Sequence, residues 1–124
     1  NCAGSTTAQT DVTGFTSGDV FPVGTTTLEY TVTDASNNTT SCTFDVVVTD
    51  TEDPSIACPA NIAVNVDAGV CGAAVIYVAP VGTDNCAGST TVQTDVTGYT
   101  SGDVFPVGTT TLEYTVTDAS NNTT

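Results

Sequence analysis

The chain repeats itself almost letter for letter. Residues 85–124 reproduce residues 1–40 at an offset of 84, and only two of these forty positions differ: Ala8 against Val92, and Phe15 against Tyr99. Both replacements keep an apolar side chain. Near-identity at a fixed period is the signature of a tandem array built from one folding unit. Residues 41–84 occur once and complete that unit.

The borders between repeats are predicted in the acidic stretch 49–54, which ends in proline and separates two strand-like runs. Residues 1–50 are therefore interpreted as the C-terminal half of one repeat. Residues 51–124 are interpreted as the following repeat, lacking its last strand. We expect the repeats to form one continuous chain; exchange of a strand between separate subunits is the alternative.

The charge of the chain excludes several classes of function. Asp and Glu total 14, there is no Lys, Arg or His, and the formal net charge is −14. Nothing here can displace counterions from a phosphate backbone, so nucleic acid is excluded as a partner, and an anionic membrane surface would repel the chain. The usual bases that activate Ser or Cys nucleophiles are missing, so no enzyme is predicted. No apolar run has the length of a membrane span.

Alternating apolar residues and frequent turn signals predict an all-β antiparallel sandwich. Thr, Val, Asp, Gly, Ser and Asn dominate the composition, which is typical of strands and turns. The strands of the second repeat are predicted at 61–66 (A), 73–78 (B), 91–96 (C) and 109–117 (F), and strand G of the first repeat at 41–49.

Four segments resemble the hyalin repeat (HYR) family. They are Asp53–Ile62 (DPSIACPANI), Val70–Val75 (VCGAAV), Thr83–Cys86 (TDNC) and Gly102–Ser120 (GDVFPVGTTTLEYTVTDAS), in the family's order and spacing. The resemblance covers the whole unit. It implies an immunoglobulin-like sandwich, an extracellular setting, tandem arrays and a role in adhesion. The sequence departs from the family at Asn37-Asn38, where Gly-Asn is usual, but Asn tolerates the left-handed conformation of such a turn.

The implied topology gathers three acidic loops at one end of the sandwich. Carboxylates and amide carbonyls of these loops are the oxygen ligands that Ca²⁺ prefers, and we expect a calcium ion to stiffen the joint. The alternative is a solvated acidic linker without an ion. The candidate ligands are Asp50, Glu52, Asp53, Asp84 and Asp118.

Five Cys in so short a chain indicate an oxidising compartment, hence a secreted or cell-surface protein. Cys2 is the earlier copy of Cys86, so a complete repeat holds four cysteine positions. In the implied topology Cys58 pairs with a Cys42-type residue of the next copy, which leaves Cys71 with Cys86. A bridge from Cys42 to Cys58 across the linker is the competing arrangement.

Overlapping N-x-T sequons fall in two predicted exposed turns, and the candidate glycosylation sites are Asn37, Asn38, Asn121 and Asn122. Ordinary turn chemistry explains the same residues. The function predicted is that of a structural repeat unit of an extracellular filament, stalk or adhesin, stacked end to end on neighbouring copies. A glycan- or receptor-binding adhesion module is the alternative.

Overall fold

The computed structural model describes residues 4–124, and among them it contains only strands, turns and irregular segments, without a helix. No candidate for a membrane-spanning helix is found in this part of the chain. The strands are antiparallel and lie in small sheets, as the predicted immunoglobulin-like sandwich requires. The chain divides into two compact units, Asn1–Asp50 and Thr51–Thr124.

The first unit is a three-stranded sheet in the order β1-β2-β3. Its strands are β1 (Thr6–Gln9), β2 (Gly24–Thr33) and β3 (Thr39–Val48). All ten residues of β2 pair with β3, from Gly24 opposite Val48 to Thr33 opposite Thr39. β3 occupies the place where strand G was predicted. Leu28 of β2 is buried in this unit.

The second unit contains four short strands in two pairs. They are β4 (Gly72–Ala74), β5 (Thr90–Gln93), β6 (Val104–Pro106) and β7 (Tyr114–Thr117), with β4 beside β6 and β5 beside β7. Ala73 and Val116 are among its buried apolar residues, and Val116 is fully enclosed.

Strand F is shorter than predicted, and a carboxylate accounts for where it begins. The prediction was 109–117, but β7 starts at Tyr114. The Glu113 carbonyl still accepts the backbone N–H of Thr94 at 2.8 Å, but the N–H of Glu113 donates to the Asp95 side chain at 3.2 Å, so the backbone ladder ends there. The first unit has the same bond between Glu29 and Asp11. There β2 nevertheless continues, because β3 pairs with its other edge.

Strand B also ends early, at Ala74, where 73–78 was predicted. The backbone of Val75 still forms hydrogen bonds with the backbone of Gly102 and of Asp103. Beyond Val75, the backbone bonds to the hydroxyl of Ser101 instead of to a neighbouring strand. That hydroxyl accepts from the N–H of Tyr77 and donates to its carbonyl. A side chain thus replaces the neighbouring strand, which ends the ladder. Strand C runs as β5 over 90–93 instead of 91–96.

The prediction of strand A at 61–66 is wrong for this structure, since this segment forms no strand. Ile62, Val64 and Val66 alternate as expected, yet their side chains are 52–59% exposed. A strand needs a partner whose backbone completes the hydrogen-bonded ladder, and none lies beside this segment among the described residues.

The turns after β2 and β7 have the same construction. The Asp34 carboxylate accepts hydrogen bonds from the backbone N–H groups of Ser36 and Asn38 and from the Asn38 side chain. Asn37 has φ = 62° and Asn121 has φ = 71°. Both φ values are left-handed, and Asn is among the few residues that tolerate this conformation.

Candidate cation-binding cleft

An acidic cleft with a volume of about 290 Å³ lies in the second unit. It brings together three of the predicted calcium ligands, Glu52, Asp53 and Asp84. Its full lining is Glu52, Asp53, Ser55, Thr83, Asp84 and Asn85. The chain offers no cationic side chain to offset these carboxylates. The cleft is therefore a place where a bound cation would lower the electrostatic repulsion.

Two backbone hydrogen bonds hold the cleft together. Ser55 and Thr83 exchange N–H···O=C bonds of 2.8 Å in both directions. Next to them, Gly82 lies so close to Val116 that an added Cβ would overlap the Val116 side chain and crowd the Ser55 carbonyl. The Gly82 N–H also donates to the Thr91 hydroxyl at 2.9 Å. Only glycine permits this close approach, which sets where the acidic loop lies.

Asp84 is the least solvated carboxylate of the cleft. Its Oδ2 accepts the N–H of Cys86 at 2.9 Å. Its Oδ1 is buried and has no hydrogen-bond partner among the described residues. A buried carboxylate oxygen without a partner is costly, and coordination by a cation would remove that cost. Glu52 and Asp53 are exposed and contribute charge at the mouth of the cleft.

Asp118 does not line the cleft, and its carboxylate is used inside the turn that follows β7. It accepts from the N–H groups of Ser120 and Asn122 and from the Asn122 side chain, at 2.7–2.8 Å. Burial acts to raise the pKa of Asp118, but the hydrogen bonds from Asn122 and Ser120 outweigh it and hold the pKa below its ordinary value. Asp50, which ends the first unit, has a buried side chain.

The cysteine pairing stays a prediction. Cys42, Cys58 and Cys71 are exposed thiols without an S–S bond in this structure. Cys86 is half-buried, and its N–H is held by Asp84 and Asn85. Cys2 lies outside the described residues.

The sequon residues divide into two kinds. Asn37 and Asn121 are exposed at the tips of the turns. The side-chain amides of Asn38 and Asn122 donate to Asp34 and Asp118, so these two residues build the turns. Glycosylation of any of the four stays a prediction.

Ser55 and Thr83 are the lining residues that sequence reasoning missed. They are 28 positions apart, and neither stands in an alternating run. The only local signal is their adjacency to Asp53-Pro54 and to Asp84-Asn85, both of which were recognised as acidic loop segments.

Comparison with known proteins identifies the class of protein, which is that of all-β repeats of the extracellular type. The family model described as "HYR domain" matches residues 2–48 and again 49–124. The chain belongs to the HYR domain family, which confirms the resemblance seen in the sequence. Its repeat is thus of the extracellular, adhesion-related type.

Individual relatives are much longer than this chain. Hyalin of Strongylocentrotus purpuratus is 40% identical over 107 residues, which are 85% of this chain and 9% of that protein. Hyalin of Lytechinus variegatus is 41% identical over 109 residues, 85% of this chain and 20% of that protein. The mouse sushi, von Willebrand factor type A, EGF and pentraxin domain-containing protein 1 is 38% identical over 109 residues, which are 87% of this chain and 3% of that protein. No solved structure matches the chain significantly.

Proposed function

We propose that this chain is a structural repeat segment of an extracellular filament, stalk or adhesin. The observation that carries the proposal is the near-identity of residues 1–40 and 85–124, together with the identical turns at Asp34 and Asp118. Because the copies share even the hydrogen bonds of this turn, we expect each copy to serve the same mechanical role. Neighbouring copies of the same repeat are its partners, and no catalytic function is assigned to it.

Adhesion is tested with the chain as it stands. Beads coated with the 124-residue chain are presented to cells and to a glycan array, with beads coated in an unrelated acidic β-sandwich protein as the control. A structural repeat gives no selective glycan or receptor signal. Saturable binding to one glycan or receptor would instead support the alternative, a recognition module.

We further propose that the acidic cleft of the second unit binds Ca²⁺. Three features support it: Asp84 Oδ1 is buried without a hydrogen-bond partner, Glu52 and Asp53 lie in the same cleft, and no side-chain cation is available. Asn85, Ser55 and Thr83 add neutral oxygens. Ca²⁺ takes six to eight such oxygens, and extracellular modules bind it with dissociation constants of roughly 10⁻⁴ to 10⁻³ M.

Calcium titration calorimetry tests the cleft. We expect one site per chain and a loss of affinity of at least about tenfold in Asp84→Asn, because the variant removes the desolvated charge. Asp45→Asn is the matched control: it removes one charge from the exposed face of β3, where Asp45 accepts only the Thr27 hydroxyl. If both variants lowered the calcium affinity equally, net charge alone would explain the effect, which would contradict the site. An unchanged melting temperature when EDTA is added to the calcium-loaded chain would also contradict the site.

A further inference from the structure

The side-chain amide of Asn85 lies against the backbone nitrogen of the residue that follows it. The N–H of Cys86 donates to Oδ1 of Asn85 at 3.0 Å. Because Oδ1 is bonded to the amide carbon Cγ, this contact holds the nitrogen beside the carbon with which it can close a five-membered ring. Asn85 is exposed and lies in a bend between strands, so the ring can form without breaking a backbone ladder.

A carboxylate also contacts this N–H group. Asp84 Oδ2 accepts the Cys86 N–H at 2.9 Å, so the amide proton is shared between Asp84 and Asn85. A backbone nitrogen is a poor nucleophile while it keeps its proton, and a carboxylate at hydrogen-bond distance can take that proton as the nitrogen attacks. The three consecutive residues therefore supply both proximity and a base.

We propose that Asn85 is a site of spontaneous deamidation through a succinimide ring. The Cys86 nitrogen forms a bond to Cγ of Asn85, and its proton passes to the Asp84 carboxylate. The bond from Cγ to Nδ2 breaks, and the side-chain nitrogen takes that proton and leaves as ammonia. Water then opens the ring at either carbonyl, which leaves aspartate or isoaspartate at position 85. One amide and one water thus give one carboxylate, and no oxidant or reductant is needed.

The turn at Asn37 provides the base without the approach of the nitrogen to Cγ. The N–H of Asn38 donates to the Asp34 carboxylate at 2.9 Å, and Asn37 is exposed, as Asn85 is. Among the described residues, that N–H makes no hydrogen bond to the Asn37 side chain. Asn37 therefore serves as the comparison within the same chain, because a base cannot help a nitrogen that is not placed at the amide carbon.

Deamidation would change the charge of the acidic cleft. Asn85 lines the cleft together with the three carboxylates of Glu52, Asp53 and Asp84, and the product adds a fourth. The affinity of oxygen sites for Ca²⁺ depends on the number of charged ligands, so an aged chain should bind the ion more tightly than a fresh one. This consequence rests on the proposed calcium site, whereas the deamidation itself does not.

Ageing of the 124-residue chain tests the proposal. The chain is kept at neutral pH with EDTA, either folded or unfolded in urea, and its peptides are then mapped by mass spectrometry after cleavage at glutamate. We expect Asn85 to deamidate at least about tenfold faster in the folded chain, with isoaspartate among the products. Asn37 should show no such acceleration. Equal acceleration at both positions, no acceleration at Asn85, or aspartate without isoaspartate would overturn the proposal.

Two variants test the role of the carboxylate. Asp84→Ala should slow the deamidation of folded Asn85 at least about tenfold, because the base is lost. Asp45→Ala, which removes a charge from the exposed face of β3, should leave the rate unchanged. Equal rates in the two variants would overturn the role of Asp84. If Asp84→Ala does not fold, the comparison of folded and unfolded wild-type chain still decides the proposal.

Calcium titration of Asn85→Asp tests the consequence for the cleft. This variant carries one of the two products, and we expect it to bind Ca²⁺ at least about threefold more tightly than the fresh chain. Equal affinity would overturn the consequence. If neither chain binds Ca²⁺, the proposed calcium site fails, while the peptide maps still decide whether Asn85 deamidates. Failure of one proposal is thus distinguishable from failure of the other.

Discussion

The hydroxyl oxygens of Tyr77 and Tyr114 lie 3.2 Å apart in the second unit. Tyr114 donates its proton to the side-chain carbonyl of Gln93 at 3.2 Å. Tyr77 must therefore be the donor in the pair of hydroxyls. Burial, and next the hydrogen bond to Tyr114, raise the pKa of Tyr77 to about 12 from an ordinary 10.0.

Alkaline titration checks this relationship. Because the pKa of Tyr77 is higher in the folded state, its contribution to stability is complete below about pH 10 and is lost as the pH rises towards about 12. Tyr77→Phe removes one neutral hydrogen bond and costs about 1 kcal/mol at neutral pH. It also removes the late tyrosinate transition from the ultraviolet titration. Tyr99→Phe is the matched control, since the first copy has Phe15 at that position; loss of the same transition in the control would contradict the assignment.

Gly82→Ala should destabilise the second unit by about 1–3 kcal/mol, since overpacking against Val116 and the Ser55 carbonyl forces the backbone apart. Urea unfolding measures the change. Val81→Ala, at the adjacent exposed position, should stay within about 0.5 kcal/mol. Comparable losses for the two variants would mean that the close approach at Gly82 does not matter.

Two equivalent aspartates should titrate unusually late on acidification. The Thr13 hydroxyl lowers the pKa of Asp11 to about 2, against burial, and Thr97 does the same for Asp95. A lowered pKa means stability that is present above about pH 4 and lost as the pH falls through about 2. Thr13→Val should raise the pKa of Asp11 in carboxyl-carbon NMR and leave that of Asp95 unchanged. The exposed variant Thr6→Val should move neither value.

The left-handed backbone conformation of Asn37 predicts different changes in stability for two substitutions at this position. Asn37→Gly should leave the stability within about 0.5 kcal/mol, because glycine adopts φ = 62° without strain. Asn37→Ala should cost roughly 1–2 kcal/mol, because a Cβ is strained in that region. Thermal unfolding of the two variants decides it, and Asn121, with φ = 71°, should behave alike. Equal stability of the Gly and Ala variants would contradict the observed backbone conformation.

Oxidation of a chain extended after Thr124 by ten residues with the sequence of 41–50, SCTFDVVVTD, tests the predicted cysteine pairing. Cys58 is an exposed thiol, and the added segment supplies a Cys42-type residue. With oxidised glutathione as the oxidant, these two thiols lose two hydrogens to form one S–S bond, and two glutathione thiols are released. We expect peptide mapping to recover the bridged pair.

The matched control for this bridge is Cys58→Ser in the same extended chain. It should yield no bridged peptide containing the added Cys. A bridge from the added Cys to Cys71 or Cys86 instead would contradict the predicted pairing.

The sequence predicted the turns and the place of β3 well, and the presence or length of the other strands poorly. The near-identical copies revealed the turns around Asp34 and Asp118, and the alternation of Phe44, Val46 and Val48 located β3. The same alternation at Ile62, Val64 and Val66 predicted a strand that does not form here, because alternation predicts a face and not the backbone partner. Local pattern also could not show that Asp95 takes the Glu113 N–H and ends the ladder.

Three of the five predicted calcium ligands line one cleft. Glu52, Asp53 and Asp84 meet in one cleft because their loops are joined by the Ser55–Thr83 pair, a contact that no spacing in the sequence announces. Asp118 looked like a ligand from its position in a loop. Its turn already supplies three N–H donors, and a carboxylate satisfied in this way serves the backbone first.

The two Ser55–Thr83 hydrogen bonds have a mechanical consequence. They join the start of the second unit to the loop that carries Asp84, well before the chain reaches β4. A stretching force applied through Thr51 would load these two bonds, and their rupture would release slack from residues 56–71. The extensibility of an array of such repeats would then depend on the strength of this pair of hydrogen bonds.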